Sequence, residues 1–236
     1  MEEGDDTLNI VDDEVDVWRR EQDVPVEEEV HLFVGDSNGP GLIDAGLDVE
    51  PPDLIINRTE GGRKWQTLSI IIRRDINWWR QAVSAFRGTL GVAVLWLTGN
   101  DYYPHPRRLS QPVTDPEHVE LHVLQVLRYL RGVARKVLIV GPVPRYRFDR
   151  GSPWDRCPAY KAERMLLHMV HREGLGDFEQ VLCVGRRFTV KVRSRRTVGD
   201  KCKSLFASDG IHLSPEGYAV VLRELPEWLR CGDVKK

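Results

Sequence analysis

Five short apolar runs, Val30–Val34, Leu54–Ile56, Val92–Leu97, Val137–Val140 and Val181–Val184, alternate with longer stretches in which apolar residues recur every three or four positions. Such alternation predicts a parallel sheet sandwiched by helices, because parallel strands need crossover connections and both faces of the sheet must be covered. Between the second and third runs, Trp65, Leu68, Ile72, Ile76, Trp79, Val83 and Phe86 fall on one helical face, and Val119, Val123, Val126, Leu130 and Val133 repeat the spacing before the fourth. A third helix is expected over Ala159 to Arg172. Ser214-Pro215-Glu216 reads as an N-cap with proline at the first helical position, opening a helix with Tyr218, Val221, Leu222 and Leu225 inward. Phe188, Val190 and Val192 alternate with Thr189, Lys191 and Arg193, which marks an extra strand there. No internal repeat is evident.

The 236 residues, 41% of them hydrophobic, suffice for one substantial core. Charge divides the chain. Residues 1–30 carry thirteen acidic side chains against Arg19 and Arg20, so a net charge of -2 conceals an acidic start and a basic remainder. Residues 1–28 are expected to be a disordered acidic tail, and 29–231 the folded domain. No apolar run reaches the length of a membrane span, and the Met-Glu-Glu-Gly-Asp-Asp start is unlike a signal peptide, so an intracellular, cytoplasmic protein is expected. Cys157, Cys183, Cys202 and Cys231 lack Cys-x-x-Cys spacing and read as reduced thiols.

Three short segments carry chemistry. Ser37 follows the first apolar run in Gly35-Asp36-Ser37, where a serine hydroxyl can be lifted from a sheet edge. Asp209 and His212, spaced as Asp-x-x-His, can supply the base and the group that orients it. Asn100, at the end of the third run, can donate from its side-chain amide to a developing oxyanion. Ligands of an open parallel sheet bind beyond the carboxyl ends of its strands, and Ser37, Gly61, Gly62 and Asn100 each follow such an end. His118 with His122, and His168 with His171, lack a third metal ligand and read as solvated helix faces. Gly61-Gly62-Arg63-Lys64 lacks phosphate-loop spacing. No metal and no cofactor is expected.

In order and spelling these segments resemble the SGNH hydrolases, the GDSL-like esterase and lipase superfamily, over roughly residues 29 to 230. Gly35-Asp36-Ser37 matches the first block, Gly61 or Gly62 the second, Asn100-Asp101 the third and Asp209 with His212 the fifth. The third block departs in one place: Thr98 stands where the family has glycine. The resemblance implies a three-layer α/β/α sandwich with a flavodoxin-like five-stranded sheet of order 2-1-3-4-5. It also implies a serine esterase forming an acyl-serine on a small-molecule, lipid or sugar ester. The oxyanion hole it implies consists of the Ser37 amide, the Gly61 or Gly62 amide and the Asn100 side chain, with Asp36 and Asp101 in support.

Basic residues gather after three strands: Arg107 and Arg108; then Arg145, Arg147, Arg150 and Arg156; then Arg186, Arg187, Arg193, Arg195 and Arg196. Solvated loops would explain them equally well as a positive surface for an anionic substrate or single-stranded nucleic acid. Some non-LTR retrotransposons encode an esterase of this kind in an RNA-binding open-reading-frame protein, and the charge asymmetry is similar to that arrangement. Two alternatives to the esterase therefore stand beside it: a nucleic-acid-associated protein that keeps the fold, and a catalytically silent binding module.

Overall fold

A computed structural model of the chain describes residues 29–51, 53–74, 89–97, 99–104, 113–174 and 179–230. The acidic segment 1–28, Ile76, Trp79, Val83, Phe86, Thr98, Arg107, Arg108 and Cys231 lie outside the described residues.

Strands β1 (Glu29–Gly35), β2 (Leu54–Thr59), β3 (Thr89–Trp96), β4 (Ala134–Val140) and β5 (Glu179–Leu182) form one sheet of order β2-β1-β3-β4-β5. Every neighbouring pair is parallel. Helix α1 (Gly39–Asp44) follows β1, α2 (65–74) follows β2, and α3 (Pro116–Arg131) joins β3 to β4. A short α4 (Tyr146–Asp149) and α5 (Pro158–Arg172) lie between β4 and β5, and α6 (Pro215–Glu224) closes the domain. The strand alternation expected around Val190 appears as an antiparallel hairpin, β6 (Val190–Val192) with β7 (Arg195–Thr197), while Phe188 ends a 3-10 turn. The last sheet strand starts and ends two residues earlier than its apolar run suggests, and Val184 is buried beyond it.

Period-two alternation along the central strands feeds two separate cores. Phe33, Val94, Trp96 and Val140 face one with Leu42 of α1 and Val221 of α6. Leu32, Val34, Leu95 and Ile139 face the other with Leu68 of α2, Val123 of α3 and Met169 of α5. Each fully buried side chain of this kind contributes about 1.5–3 kcal/mol, so both faces bind the layers together. Caps fix where the helices begin. Asp115 accepts from the Glu117 N–H at 3.0 Å, and Ser214 from the Gly217 N–H at 3.2 Å, each just before a proline. No helix among the described residues is long and apolar enough to cross a membrane. Cys157, Cys183 and Cys202 are free thiols.

At the amino ends of the strands, the β1–β3 register slips between Val30 and Leu32, and buried His31 meets the slip. Its Nδ1 accepts the Val92 N–H at 3.1 Å. The neutral ring therefore carries its proton on Nε2, facing Asp53 at 3.6 Å and Glu29 at 3.9 Å. Glu29, His31 and Asp53 cluster closely enough to invite a metal, yet a protonated Nε2 has no lone pair to give, and Glu29 already pairs with Arg135.

At the opposite end, Asp101 ties β3 to α2: its Oδ2 accepts the Trp65 N–H at 3.0 Å, while buried Oδ1 has no partner among the described residues. Burial raises this carboxyl to about 6, against the Trp65 N–H and the positive charge of Lys64. Because the folded pKa lies above the unfolded one, the stability Asp101 contributes is fully present at about pH 4 and below, and is lost as the pH rises through about 6. Asp101→Asn keeps the acceptor for Trp65 without the charge. Urea unfolding should show the difference between variant and wild type moving by about 2 kcal/mol in favour of the variant from about pH 4 to about pH 7.5. A difference that does not change with pH would refute this account of Asp101.

Candidate active site

Ser37 sits on the turn after β1. The Asp36 N–H is anchored to the Trp96 carbonyl at 3.2 Å, and Asp36 Oδ1 accepts the Asn38 N–H at 3.0 Å, an Asx turn that raises Ser37 above the sheet edge. A segment from the far end of the chain meets it. Asp209 Oδ1 accepts the backbone N–H groups of Ile211 at 2.8 Å and His212 at 3.0 Å, and Asp209 Oδ2 lies 2.5 Å from His212 Nδ1. His212 Nε2 is 3.0 Å from Ser37 Oγ. With Nδ1 donating to Asp209, the Nε2 lone pair is left facing the hydroxyl.

Partial burial by itself would raise the Asp209 pKa; the Ile211 N–H, the His212 ring and the His212 N–H outweigh it and hold the carboxyl below its ordinary range. Both His212 and Asp209 side chains are 40% exposed, so the relay opens directly to solvent.

Asn38, which the sequence reading passes over, joins these two segments. Its buried Oδ1 accepts the Leu213 N–H and the Tyr218 hydroxyl, each at 3.1 Å. Burial, followed by the charges of Asp36 and Asp209, pushes the Tyr218 phenol up to about 12, so it remains a donor at neutral pH. Tyr218 reaches Asn38 only because position 41 is glycine: a Cβ there would lie 2.3 Å from the ring.

Asn100 follows β3. Its Nδ2 donates to the Arg63 carbonyl at 3.1 Å and, at 3.5 Å, to Asp36 Oδ2, while its Oδ1 accepts from Arg145 Nη2 at 2.9 Å. Arg145 thereby decides which end of the amide faces the Ser37 turn. Arg145, expected among the basic residues of either a solvated loop or a positive binding surface, is instead buried, with its guanidinium 5.1 Å from the Tyr103 ring centroid and its backbone N–H bonded to Asp149 at 2.9 Å. Burial lowers its pKa, opposed first by the charge of Asp36.

Gly61 and Gly62 are the central pair of a turn closed by the Arg63 N–H to the Glu60 carbonyl at 3.3 Å. Gly62 has φ 76°, which fits the third position of a type II turn. The Glu60 N–H bonds to the Gly35 carbonyl at 3.0 Å, pinning this turn beside Ser37. Among the described residues, the N–H groups of Ser37, Gly61 and Gly62 have no protein acceptor.

Ser37, Asp209 and His212 are thus brought into one relay, and Asp36 and Asn100 into contact beside it; Asp101 turns away to the start of α2. His122 is not simply solvated, since its Nδ1 lies 3.0 Å from Ser69 Oγ. The other basic residues divide. Arg150 pairs with Asp200 at 2.8 Å, Arg193 occupies the β6–β7 turn, and Arg186, Arg187, Arg195 and Arg196 line a separate cavity.

No protein-family model and no curated protein matches the sequence. Solved structures do match in fold. An acetyl-xylooligosaccharide esterase from Geobacillus stearothermophilus superposes with a TM-score of 0.57 at 15% identity, over 87% of this chain and 98% of that one. Serine-to-alanine and histidine-to-alanine forms of that protein are described as catalytic mutants. A lipolytic protein of the G-D-S-L family from Veillonella parvula gives 0.54 at 15% identity, over 83% and 95% of the two chains. A GDSL-like lipase from Bacteroides thetaiotaomicron gives 0.53 at 13% identity, over 81% and 82%. At such identities the likeness is one of fold: this chain has the three-layer α/β/α fold of the SGNH hydrolases.

Proposed function

We propose that the protein is a serine carboxylester hydrolase. The observation that carries this reading is the continuous contact from Asp209 through His212 to Ser37, at 2.5 and 3.0 Å, beyond the carboxyl ends of parallel strands. Ser37 Oγ attacks the acyl carbon as His212 Nε2 takes its proton, and Asp209 stabilises the imidazolium. The carbonyl π electrons move to oxygen, where the Ser37 amide, a Gly61 or Gly62 amide and the Asn100 side chain are the donors available. Collapse breaks the bond to the leaving oxygen, which takes the proton from His212. Water then attacks the acyl-serine with His212 again as base, releasing acid and free Ser37. No step requires a metal or cofactor. The long contact from Asn100 Nδ2 to Asp36 is the weaker of its two and the one an oxyanion would replace.

The open relay suits accessible esters with short acyl groups. A fluorophosphonate probe is expected to label wild type and to fail with Ser37→Ala and His212→Ala. Hydrolysis of p-nitrophenyl acetate is expected to follow the same pattern and to survive EDTA. Labelling that persists in Ser37→Ala would refute the assignment.

Asn100→Ala is expected to lower kcat by about a hundred- to a thousandfold, as loss of one oxyanion donor does. Arg145 acts through Asn100 and is a positioning residue. Arg145→Lys should lower kcat by about tenfold with KM unchanged, and should add little in the Asn100→Ala background, because the two act as one unit. Additive losses in the double variant would show that Arg145 serves the fold rather than Asn100.

A further inference from the structure

A second cavity, of about 950 Å³, shares no lining residue with the Ser37 relay. It lies beyond the β5 edge, walled by α5, the 3-10 turn Gly185–Phe188 and the β6–β7 hairpin. Two of its arginines are already committed to the walls. Arg187 pairs with Glu224 at 2.9 Å, and Arg196 Nη1 reaches the Arg186 and Thr189 carbonyls at 3.4 Å. The other three, Arg164, Arg186 and Arg195, come from three different elements, are exposed, and form no salt bridge among the described residues. Guanidinium groups that line one cavity and form no salt bridge among the described residues match phosphate oxygens, which they bind bidentately.

The cavity wall also holds a buried carboxyl and an aromatic ring. Glu163 is 5% exposed, and its Oε2 has no hydrogen-bond partner among the described residues. Burial raises its pKa, against the Gly185 N–H, the Cys183 thiol and the charge of Arg164. Tyr160, packed edge-on against Trp154 at 5.7 Å between centroids, gives the same cavity an aromatic wall. The hairpin that carries Arg195 keeps Arg193 at φ 55°, a left-handed conformation uncommon for a side chain of this kind.

We propose that this cavity binds a nucleotide unit, with phosphate held by Arg164, Arg186 and Arg195 and the base stacked on Tyr160. The volume suits such a ligand. The unit can be supplied as a free nucleoside phosphate or as part of a single strand.

Calorimetric titration of the full chain with ADP and UDP, with inorganic pyrophosphate, and with a short single-stranded RNA tests the assignment. ADP or UDP should bind about tenfold or more tightly than pyrophosphate, because the base adds contacts that an anion lacks. Arg186→Ala and Arg195→Ala should each weaken binding by about tenfold or more, and Tyr160→Ala should abolish the preference over pyrophosphate. RNA that binds and is displaced by ADP identifies a strand as a source; RNA that fails to bind leaves the free nucleotide. Three results overturn the proposal: no binding of either nucleotide up to roughly 1 mM, pyrophosphate binding as tightly as ADP, or nucleotide affinity unchanged in both arginine variants. Turnover of p-nitrophenyl acetate should be unaltered in those variants. A parallel fall would assign the cavity to the ester site and also overturn the proposal, whereas a protein without esterase activity would leave the nucleotide result standing.

Discussion

The candidate active site depends on the side chain of Asn38. Ser37 and His212 stand 175 residues apart in the chain, and their loops come from opposite ends of the domain. The buried Asn38 amide oxygen takes a backbone N–H from the residue after His212 and a hydroxyl from the first turns of α6. Replacing it with an apolar residue would strand the Leu213 N–H, at a cost of about 1–3 kcal/mol, and would free the two loops to separate. The hydrogen bond between hydroxyl and imidazole is therefore held by a neutral, shielded contact, and the half-exposed relay does not have to hold itself.

The same economy governs the Asn100 side of the candidate site. Asn100 cannot present its nitrogen toward the Ser37 turn unless something occupies its oxygen, and buried Arg145 does so. Arg145 is in turn fixed by its stacking on Tyr103 and by the Asp149 carboxylate, which also accepts the Tyr103 hydroxyl. A charged residue in this position is costly to bury, and the surrounding charges of Asp36, Asp149 and Asp209 offset that cost. Ser37, Asn100 and His212 are thus only partly buried, while Asn38 and Arg145, which hold their surroundings in place, are buried, the division a preorganised site requires.

Charge that is indistinct along the sequence separates in space into three kinds. Arg145 is internal, Arg150 and Arg187 are spent on surface ion pairs, and Arg164, Arg186 and Arg195 remain around one cavity. Solvated loops and a binding surface predict the same letters in the sequence. Only the neighbours decide between them.

The sequence by itself determined the sheet, because strands buried on both faces must be apolar at consecutive positions and their connecting helices must be apolar at every third or fourth. The five runs, the proline-led helices and the caps at Asp115 and Ser214 are all local signals of that kind. It also marked Ser37, Asn100, Asp209 and His212 as candidates, since each lies in a short segment whose residue types suit one chemistry. Tertiary structure alone decided the roles of Asn38 and Arg145, the departure of Asp101 toward α2, and the division of the arginines. These depend on hydrogen bonds between segments far apart in the chain and on the removal of water around them. Both are properties of neighbours in space, and residue spacing does not encode them.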